Sequence, residues 1–341
     1  MLRLMMGVAL LLALVAGLWL GAETWAARRA AALIAEAQEV DAAAVTPLRR
    51  LDAFGLRVEA PAVTGAGLAL ELPHAELSLA PTAPRTLRLT LPGEGRLRTG
   101  AGDVALAATA PEASATVAPL RDMAIDAAHL ALRDLRLDGR AAAETLQIDA
   151  RLRRLGHDAP RPARAAYDLA LEAAGIAPEA LALAGLDAAA LPGPLAATGS
   201  LRVWLDDAPR LQQGARRPQL AGFETQGLDL ATGDLQIRIV GRLGADASGL
   251  AEGRLAVFTR DGEAIIRQLV ALEIIPAAAA LLVRAGLTQL GSTDFPEAAG
   301  PLSGPAIPAP AEGELRLPLT FAGGQVSLGA IPLGPAPRLL R

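Results

Sequence analysis

The chain has 341 residues, with 32 basic residues against 36 acidic ones, a net charge of −4, and no cysteine. Every basic residue is arginine, because the sequence contains no lysine. These absences exclude a Walker A lysine, a Schiff-base lysine, a thiolate nucleophile and a disulfide. The acidic balance and the scarcity of aromatic residues argue against binding to nucleic acid.

The chain opens with an apolar segment. Nineteen residues from Leu4 to Ala22 carry no charge, and as a helix they would span about 28 Å, close to the hydrocarbon thickness of about 30 Å. We therefore predict an N-terminal transmembrane helix, and the tryptophans near its outer end suit the membrane interface. A cleavable signal peptide is the alternative, since Thr24-Trp25-Ala26 is a fair cleavage site. The predicted anchor residues are Leu4, Leu12, Trp19, Ala22 and Trp25.

Composition and periodicity divide the chain into two regions. Residues 1–40 are predicted to form the membrane anchor and its helical extension, and residues 41–341 an exported body. Within the body, apolar residues at a spacing of three predict a short helix from Asp41 to Phe54. Residues 263–290 predict a helical insertion, divided or kinked at Pro276, and residues 291–311 predict a loop rich in proline, glycine and alanine.

Beyond Gly55 the apolar period changes to two, which is typical of half-buried strands. A slip of the apolar phase at Arg133-Asp134 predicts a β-bulge. The sequence therefore predicts a mainly β (α+β) fold: a long, curved antiparallel sheet meander, or a sandwich, with a few packing helices. The alternating segments run through Leu87–Leu91, Leu146–Leu152, Leu235–Ile239 and Leu315–Phe321.

A loose motif recurs along these segments. A threonine or acidic residue precedes a glycine, and two aliphatic residues follow at alternate positions. We predict that these glycines form turns that open strands, as in repeated hairpins. They are Gly199, Gly233, Gly253 and Gly313.

The sequence provides few candidates for chemistry. His74, His129 and His157 are far apart and form no metal-binding motif, and no serine lies in a nucleophile elbow. Carboxylates that could act as acid and base, or bind calcium, are Asp206, Asp207, Glu252 and Asp261. Charged strand ends are the favoured interpretation, so we predict no catalytic, metal or cofactor site and no enzyme.

Paired arginines could bind lipid phosphates, because arginine forms bidentate hydrogen bonds with that group. The alternative, which the pattern favours, is a solvated face that balances acidic neighbours. The pairs are Arg49-Arg50, Arg153-Arg154 and Arg216-Arg217.

The last thirty residues carry a family resemblance. The ending from Glu314 to Leu340, with the apolar N-terminus, Trp204 and the strand region Gly227-Leu-Asp-Leu, resembles the bacterial family called domain of unknown function 2125. That resemblance implies a single-pass protein of the inner membrane with its body in the periplasm, and it implies no activity. A weaker likeness is to AsmA-type envelope proteins, which are associated with lipid handling on curved sheets.

One-sided strands after an export segment lead to a functional expectation. If the strands form one curved sheet without a covering layer, an apolar groove is exposed, and such a surface normally marks a binding site. We then expect a non-enzymatic envelope protein that binds lipid or another hydrophobic ligand. If two sheets close on each other, the same residues form a filled core, and the chain is a structural or protein-interaction module of the envelope.

Overall fold

The computed structural model describes residues 21–32, 34–35, 40–50, 52–65, 67–100, 102–183, 191–210, 218–271, 304–329 and 331–340. Within these residues the fold is mainly β, with 19 antiparallel strands and few helices. The predicted fold class is confirmed at this level. Two compact units divide the chain: unit 1 comprises Met1–Val117 and Leu130–Ala141, and unit 2 comprises Ala118–His129 and Ala142–Arg341.

Unit 1 contains five long strands, of which the first four are each broken into two short ones. The breaks lie side by side in neighbouring long strands, so each half pairs with the adjacent halves of the long strands on either side. Thus β3 pairs with β2 and β6, and β4 pairs with β1 and β5. The strands are β1 (Val40–Asp41), β2 (Ala44–Pro47), β3 (Phe54–Glu59), β4 (Ala62–Gly65), β5 (Leu68–Glu71), β6 (His74–Leu79), β7 (Thr86–Thr90), β8 (Glu94–Thr99) and the long β9 (Gly102–Ala118).

Prolines mark the breaks in unit 1. Pro61, Pro73 and Pro92 lie between the paired halves, and Pro111 lies within β9 at the corresponding place. Proline has no N–H to donate to the ladder, so these prolines weaken the pairing of the second to the fifth long strand along one line. The break in the first long strand, between β1 and β2, falls at Ala42 and Ala43 and has no proline. The backbone bridges this line by local hydrogen bonds, such as Ala60 N–H to the Pro73 carbonyl at 3.0 Å and Leu72 N–H to the Pro61 carbonyl at 3.0 Å.

The helical residues 21–32 and 34–35 form α1. Its Glu23 side chain is fully buried, and one carboxylate oxygen accepts the Gly55 N–H of β3 at 3.2 Å. No helix among the described residues is long and apolar enough to cross a membrane. Leu4, Leu12 and Trp19 lie outside those residues.

Unit 2 is built on a meander in which β11 to β19 pair in chain order, each antiparallel to the next. Helix α2 (Pro178–Leu183) follows β12, and α3 (Gly262–Ala271) follows β16. The strand β10 (Ala124–Leu137) begins in unit 2. The meander comprises β11 (Arg140–Arg153), β12 (Ala165–Ile176), β13 (Leu195–Leu205), β14 (Leu220–Thr232), β15 (Leu235–Ala245), β16 (Ala251–Thr259), β17 (Leu315–Ala322), β18 (Gln325–Leu328) and β19 (Ile331–Pro335).

The alternation in the sequence becomes two faces of this sheet. Side chains of a strand point alternately to opposite faces, so Leu235 and Ile237 share one face of β15 while Gln236 and Arg238 share the other. Helix α3 covers the aliphatic face at β15 and β17, where Ile265 and Ile266 pack with buried Leu235 and Leu317. This part of unit 2 therefore has a filled core.

The predicted helix from Asp41 to Phe54 is wrong. Residues 44–47 form β2, which pairs with Leu56–Glu59 of β3. A proline disfavours the α conformation of the residue before it. Pro47 therefore disfavours a helical conformation at Thr46. Hydrogen bonding to β3 thus outweighs the apolar spacing of three.

The prediction that the motif glycines form turns is confirmed at two positions and wrong at two. Gly233 and Gly313 lie in turns with φ of 56° and 75°. Gly199 lies inside β13, and Gly253 lies inside β16. There the glycine allows close approach of a neighbouring strand, because a Cβ on Gly199 would lie 2.5 Å from the Gly227 carbonyl oxygen.

The other predicted elements can be compared only in part. Helix α3 (Gly262–Ala271) overlaps the first residues of the helical insertion predicted at 263–290, and Pro276 lies outside the described residues. Residues 304–310 have no regular structure, as the predicted loop requires, and residues 291–303 lie outside. Asp134 in β10 has a φ of 49°, which is an irregularity at the position of the predicted bulge.

Candidate functional site

An aliphatic surface covers one face of β11 to β14 in unit 2. The strand register places its members side by side, for example Leu169 against Leu201 and Ile148 against Leu171. All are half-buried, and none belongs to the buried hydrophobic clusters of the described residues. We call this surface the apolar face; it consists of Leu146, Ile148, Leu152, Leu169, Leu171, Leu201, Val203, Leu228 and Leu230.

The sheet curls toward the apolar face at one end. The first residues of β10 bond to the segment that follows β13, through the Ile125 N–H and the Pro209 carbonyl at 2.9 Å. Tyr167, on the same face of β12 as Leu169, donates its hydroxyl to the Ile125 carbonyl at 2.7 Å. Burial raises the pKa of Tyr167 to about 12, so the phenol stays protonated and can donate. This end of the apolar face is therefore closed.

The opposite face of β12 to β16 carries charged side chains. A row of side chains crosses five strands, with alternating charge in its first four members. Asp168 accepts hydrogen bonds from Arg153 at 2.7 Å and from Arg202 at 2.9 Å. This contrast between the faces makes the unit 2 sheet amphipathic. We call the set the charged row: Asp168, Arg202, Glu224, Arg242 and Arg254.

The ion pairs of Asp168 should make the free energy of unfolding depend on pH. Burial raises its pKa, but hydrogen bonds from Arg202 and Arg153 outweigh this, and the pKa lies below the ordinary value of 3.8. A carboxyl whose pKa is lower in the folded state stabilises the fold above its unfolded pKa, and loses this effect as the pH falls through the folded value. We expect Asp168→Asn to cost about 1 kcal/mol at pH 7.

Urea unfolding of the full chain at pH 7 and in steps below pH 4 measures this difference. The difference in the free energy of unfolding between the wild type and Asp168→Asn should become smaller at acid pH. Asp234→Asn, at an exposed turn carboxylate, is the control and should stay close to the wild type throughout. A gap that is constant with pH would contradict the assignment.

Arg242 is the most deeply buried charge of the row, with 2% exposure. Its guanidinium lies over the Trp204 ring, 4.6 Å from the centroid, and it donates to the Asp158 carbonyl oxygen. The carboxylates of Asp158 and Glu224 lie 3.4 Å and 3.8 Å away. Burial raises the pKa of Glu224, against the lowering effect of Arg242. Arg242 therefore joins the loop before β12 to three strands.

Sequence reasoning did not find the Arg242 cluster. Its signal is the glycine pattern Gly241-Arg242-Leu243-Gly244 directly after the predicted strand segment Leu235–Ile239, since a glycine in a strand suggests close backbone approach. Pro160 uses that space, because a Cβ on Gly222 or Gly244 would lie 3.0 Å or 3.1 Å from its Cγ.

The predicted carboxylates have structural contacts. Asp206 accepts the Gln219 N–H at 2.7 Å, and Asp207 holds Arg210 by two hydrogen bonds. Asp261 accepts the Ala264 N–H at the start of α3, and Glu252 lines a separate surface pocket. The described part of the chain has no group of three or more potential metal ligands.

The other candidates are scattered. His129 bonds to Asp149 at 2.8 Å, while His157 is exposed and His74 begins β6. Arg50 pairs with Asp52, and the Arg216-Arg217 pair lies outside the described residues. Arg153 and Arg154 line a pocket at the end of β11.

The predicted anchor can be placed at two residues. Ala22 and Trp25 lie in α1, and both are exposed, with 70% exposure for Trp25. The membrane anchor stays a prediction.

A family model described as an uncharacterized protein conserved in bacteria, DUF2125, matches residues 19–337. The chain belongs to this family. The match includes all of the apolar face and the charged row, so both surfaces lie in the DUF2125 region. No curated protein and no solved structure matches the chain. The likeness to AsmA-type envelope proteins finds no support in these comparisons.

Proposed function

We propose that this DUF2125 protein is a non-enzymatic envelope protein that binds lipid, or another hydrophobic ligand, on the apolar face of unit 2. The observation that carries the proposal is the difference between two parts of one sheet. At β15 and β17 the aliphatic face packs against α3, with Leu235 and Leu317 buried. At β11 to β14 the nine aliphatic side chains of the apolar face are all half-buried, and none belongs to a buried cluster of the described residues.

An aliphatic surface that the described residues leave only half-buried favours binding for a physical reason. Removing apolar surface from water contributes about 25 cal/mol per Å², and contiguous exposed patches usually mark binding sites. The curl at Tyr167 gives the surface a closed end, as ligand sites are usually concave.

We further propose that the protein is held in the inner membrane by its N-terminal segment, with the body in the periplasm. The support is the uncharged stretch from Leu4 to Ala22, whose length matches the hydrocarbon thickness. An anchored body would meet lipid directly at the membrane surface. The proposed partners are thus the membrane, through the N-terminal helix, and lipid, with an envelope protein as the alternative.

Native mass spectrometry of the full chain in detergent, with lipid extraction, tests the proposal. The variant Leu201→Glu places a charge in the apolar face, and Ser200→Glu places the same charge on the opposite face one residue away. We expect lipid at fixed stoichiometry on the wild type and on Ser200→Glu, and at least tenfold less on Leu201→Glu, because an unpaired carboxylate in an apolar site is costly.

Circular dichroism must show the same β content for both variants. A lipid-free mass for the wild type, or equal lipid on the two variants, would contradict the proposal. That result would favour the alternative, an envelope interaction module with a filled core.

A further inference from the structure

A basic pocket of about 720 Å³ lies where β11 and β13 end and where β10 and β12 begin. Its lining includes five arginines and two aspartates, a net charge of +3, although the whole chain carries −4. We call it the basic pocket; its charged residues are Arg121, Arg153, Arg154, Arg164, Arg210, Asp122 and Asp126.

Two of these arginines are neutralised by neighbours. Arg153 pairs with Asp168 at 2.7 Å, and Arg210 pairs with Asp207 at 2.7 Å. Arg121, Arg154 and Arg164 are exposed and form no ion pair with any carboxylate that the structure describes. Arg164 donates one long hydrogen bond, to the Ala163 carbonyl at 3.4 Å. All three guanidinium groups therefore lack an ionic partner among the described residues and can bind an external anion.

Two exposed leucines accompany the arginines. Leu120 is fully exposed and precedes Arg121, while Leu155 is 40% exposed and follows Arg154. The loop that presents Leu120 has a defined and unusual backbone, since Asp122 and Met123 both have left-handed φ, at 50° and 57°. Such conformations are costly outside glycine.

We propose that the basic pocket, with the exposed Leu155 in its lining and Leu120 next to Arg121, docks unit 2 onto the surface of a membrane that contains anionic phospholipid. Guanidinium groups bind phosphate oxygens in bidentate fashion, and each arginine near an anionic membrane adds roughly a fivefold gain in binding. The leucines would enter the boundary between headgroups and acyl chains. The docking does not require a ligand on the apolar face.

The chain has no cysteine, so one introduced cysteine gives a single labelling site. The experiment uses the full chain, reconstituted into vesicles, with an environment-sensitive fluorophore on Leu120→Cys. Vesicles contain phosphatidylcholine alone or phosphatidylcholine with phosphatidylglycerol. A label on Asp234→Cys, in the turn at the opposite end of the unit 2 strands, is the control.

We expect a blue shift and brighter emission at position 120 with phosphatidylglycerol only, declining as salt rises to 0.5 M. The triple change Arg121→Gln, Arg154→Gln and Arg164→Gln should reduce this signal to that of the Asp234→Cys label. A matched triple change at exposed arginines of unit 1 should retain it; those positions are Arg85, Arg133 and Arg136.

Equal signals in the two kinds of vesicle, or a signal that survives the basic-pocket changes, would overturn the proposal. Millimolar glycerol phosphate is added as a soluble competitor. Loss of the signal at constant ionic strength would identify a site for free phosphate compounds instead of a membrane surface, and would also overturn it. Lipid retention on the apolar face is measured separately, so either proposal can fail alone.

Discussion

Arg242→Ala is expected to lower the free energy of unfolding of unit 2 by about 3–5 kcal/mol, the usual cost of removing one partner from a buried ion pair. The guanidinium is 2% exposed and lies over the Trp204 ring. Its loss leaves Glu224, a carboxyl whose pKa burial already raises, without its nearest buried cation. It also removes a hydrogen bond that fixes the Asp158 carbonyl.

Urea unfolding monitored by tryptophan fluorescence measures the effect, because Trp204 is in contact with the altered site. Arg242→Lys keeps the charge but loses the planar stacking and the fork of donors, so an intermediate loss is expected. Arg151→Ala, at an exposed arginine paired with Asp168 in the register, is the control. A loss for Arg242→Ala no larger than that of the control would show that the cluster does not hold the loop before β12.

Gly253→Ala is expected to lower the free energy of unfolding by about 3 kcal/mol, from backbone strain together with overpacking. The φ of Gly253 is 143°, and a Cβ there would lie 2.3 Å from the Arg242 carbonyl oxygen. Gly241 mirrors this arrangement, with a φ of 139° and a Cβ position 2.3 Å from the Arg254 carbonyl oxygen. The two glycines thus flank the pairing of Arg242 with Arg254.

The control for this substitution is Gly227→Ala in β14, where nothing lies within 4 Å of the added Cβ. Hydrogen exchange of the β15 and β16 amides should speed up in Gly253→Ala and remain unchanged in Gly227→Ala. Similar exchange in both variants would contradict the close-approach interpretation. Because β16 pairs with both β15 and β17, the local loss should extend to β17.

Much of the β architecture could be predicted from alternation alone. The segments Leu146 to Leu152 and Leu315 to Phe321 fall in strands β11 and β17, and Leu87 to Thr90 of the segment that ends at Leu91 falls in β7, since a period of two is typical of a one-sided strand. The helix predicted at Asp41 to Phe54 failed because a spacing of three in a short segment does not exclude pairing with a distant strand. Pro61, Pro73, Pro92 and Pro111 held a further signal, because one proline falls in each of four of the five long strands of unit 1.

The candidate functional surfaces were less predictable. Alternation indicated an aliphatic face, but it could not tell which part is covered by α3 and which part is not, because covering depends on residues far apart in the chain. Arg153-Arg154 was noted as a pair that could bind phosphate. Its companions Arg121 and Arg164 come from other strand ends and meet it only in the folded sheet.

The sequence by itself determined the fold class, the amphipathic strands, the family and the absence of lysine and cysteine chemistry, because these depend on residue types and local periodicity. Only the tertiary structure decided the position of each strand in the meander, the role of Gly253, and the burial of Arg242 against Trp204. The physical reason is that register, close backbone approach and desolvation of a charge arise between strands. Local sequence specifies which side chains each strand carries on its two faces, whereas the neighbouring strands determine which of those side chains are buried, ion-paired or exposed.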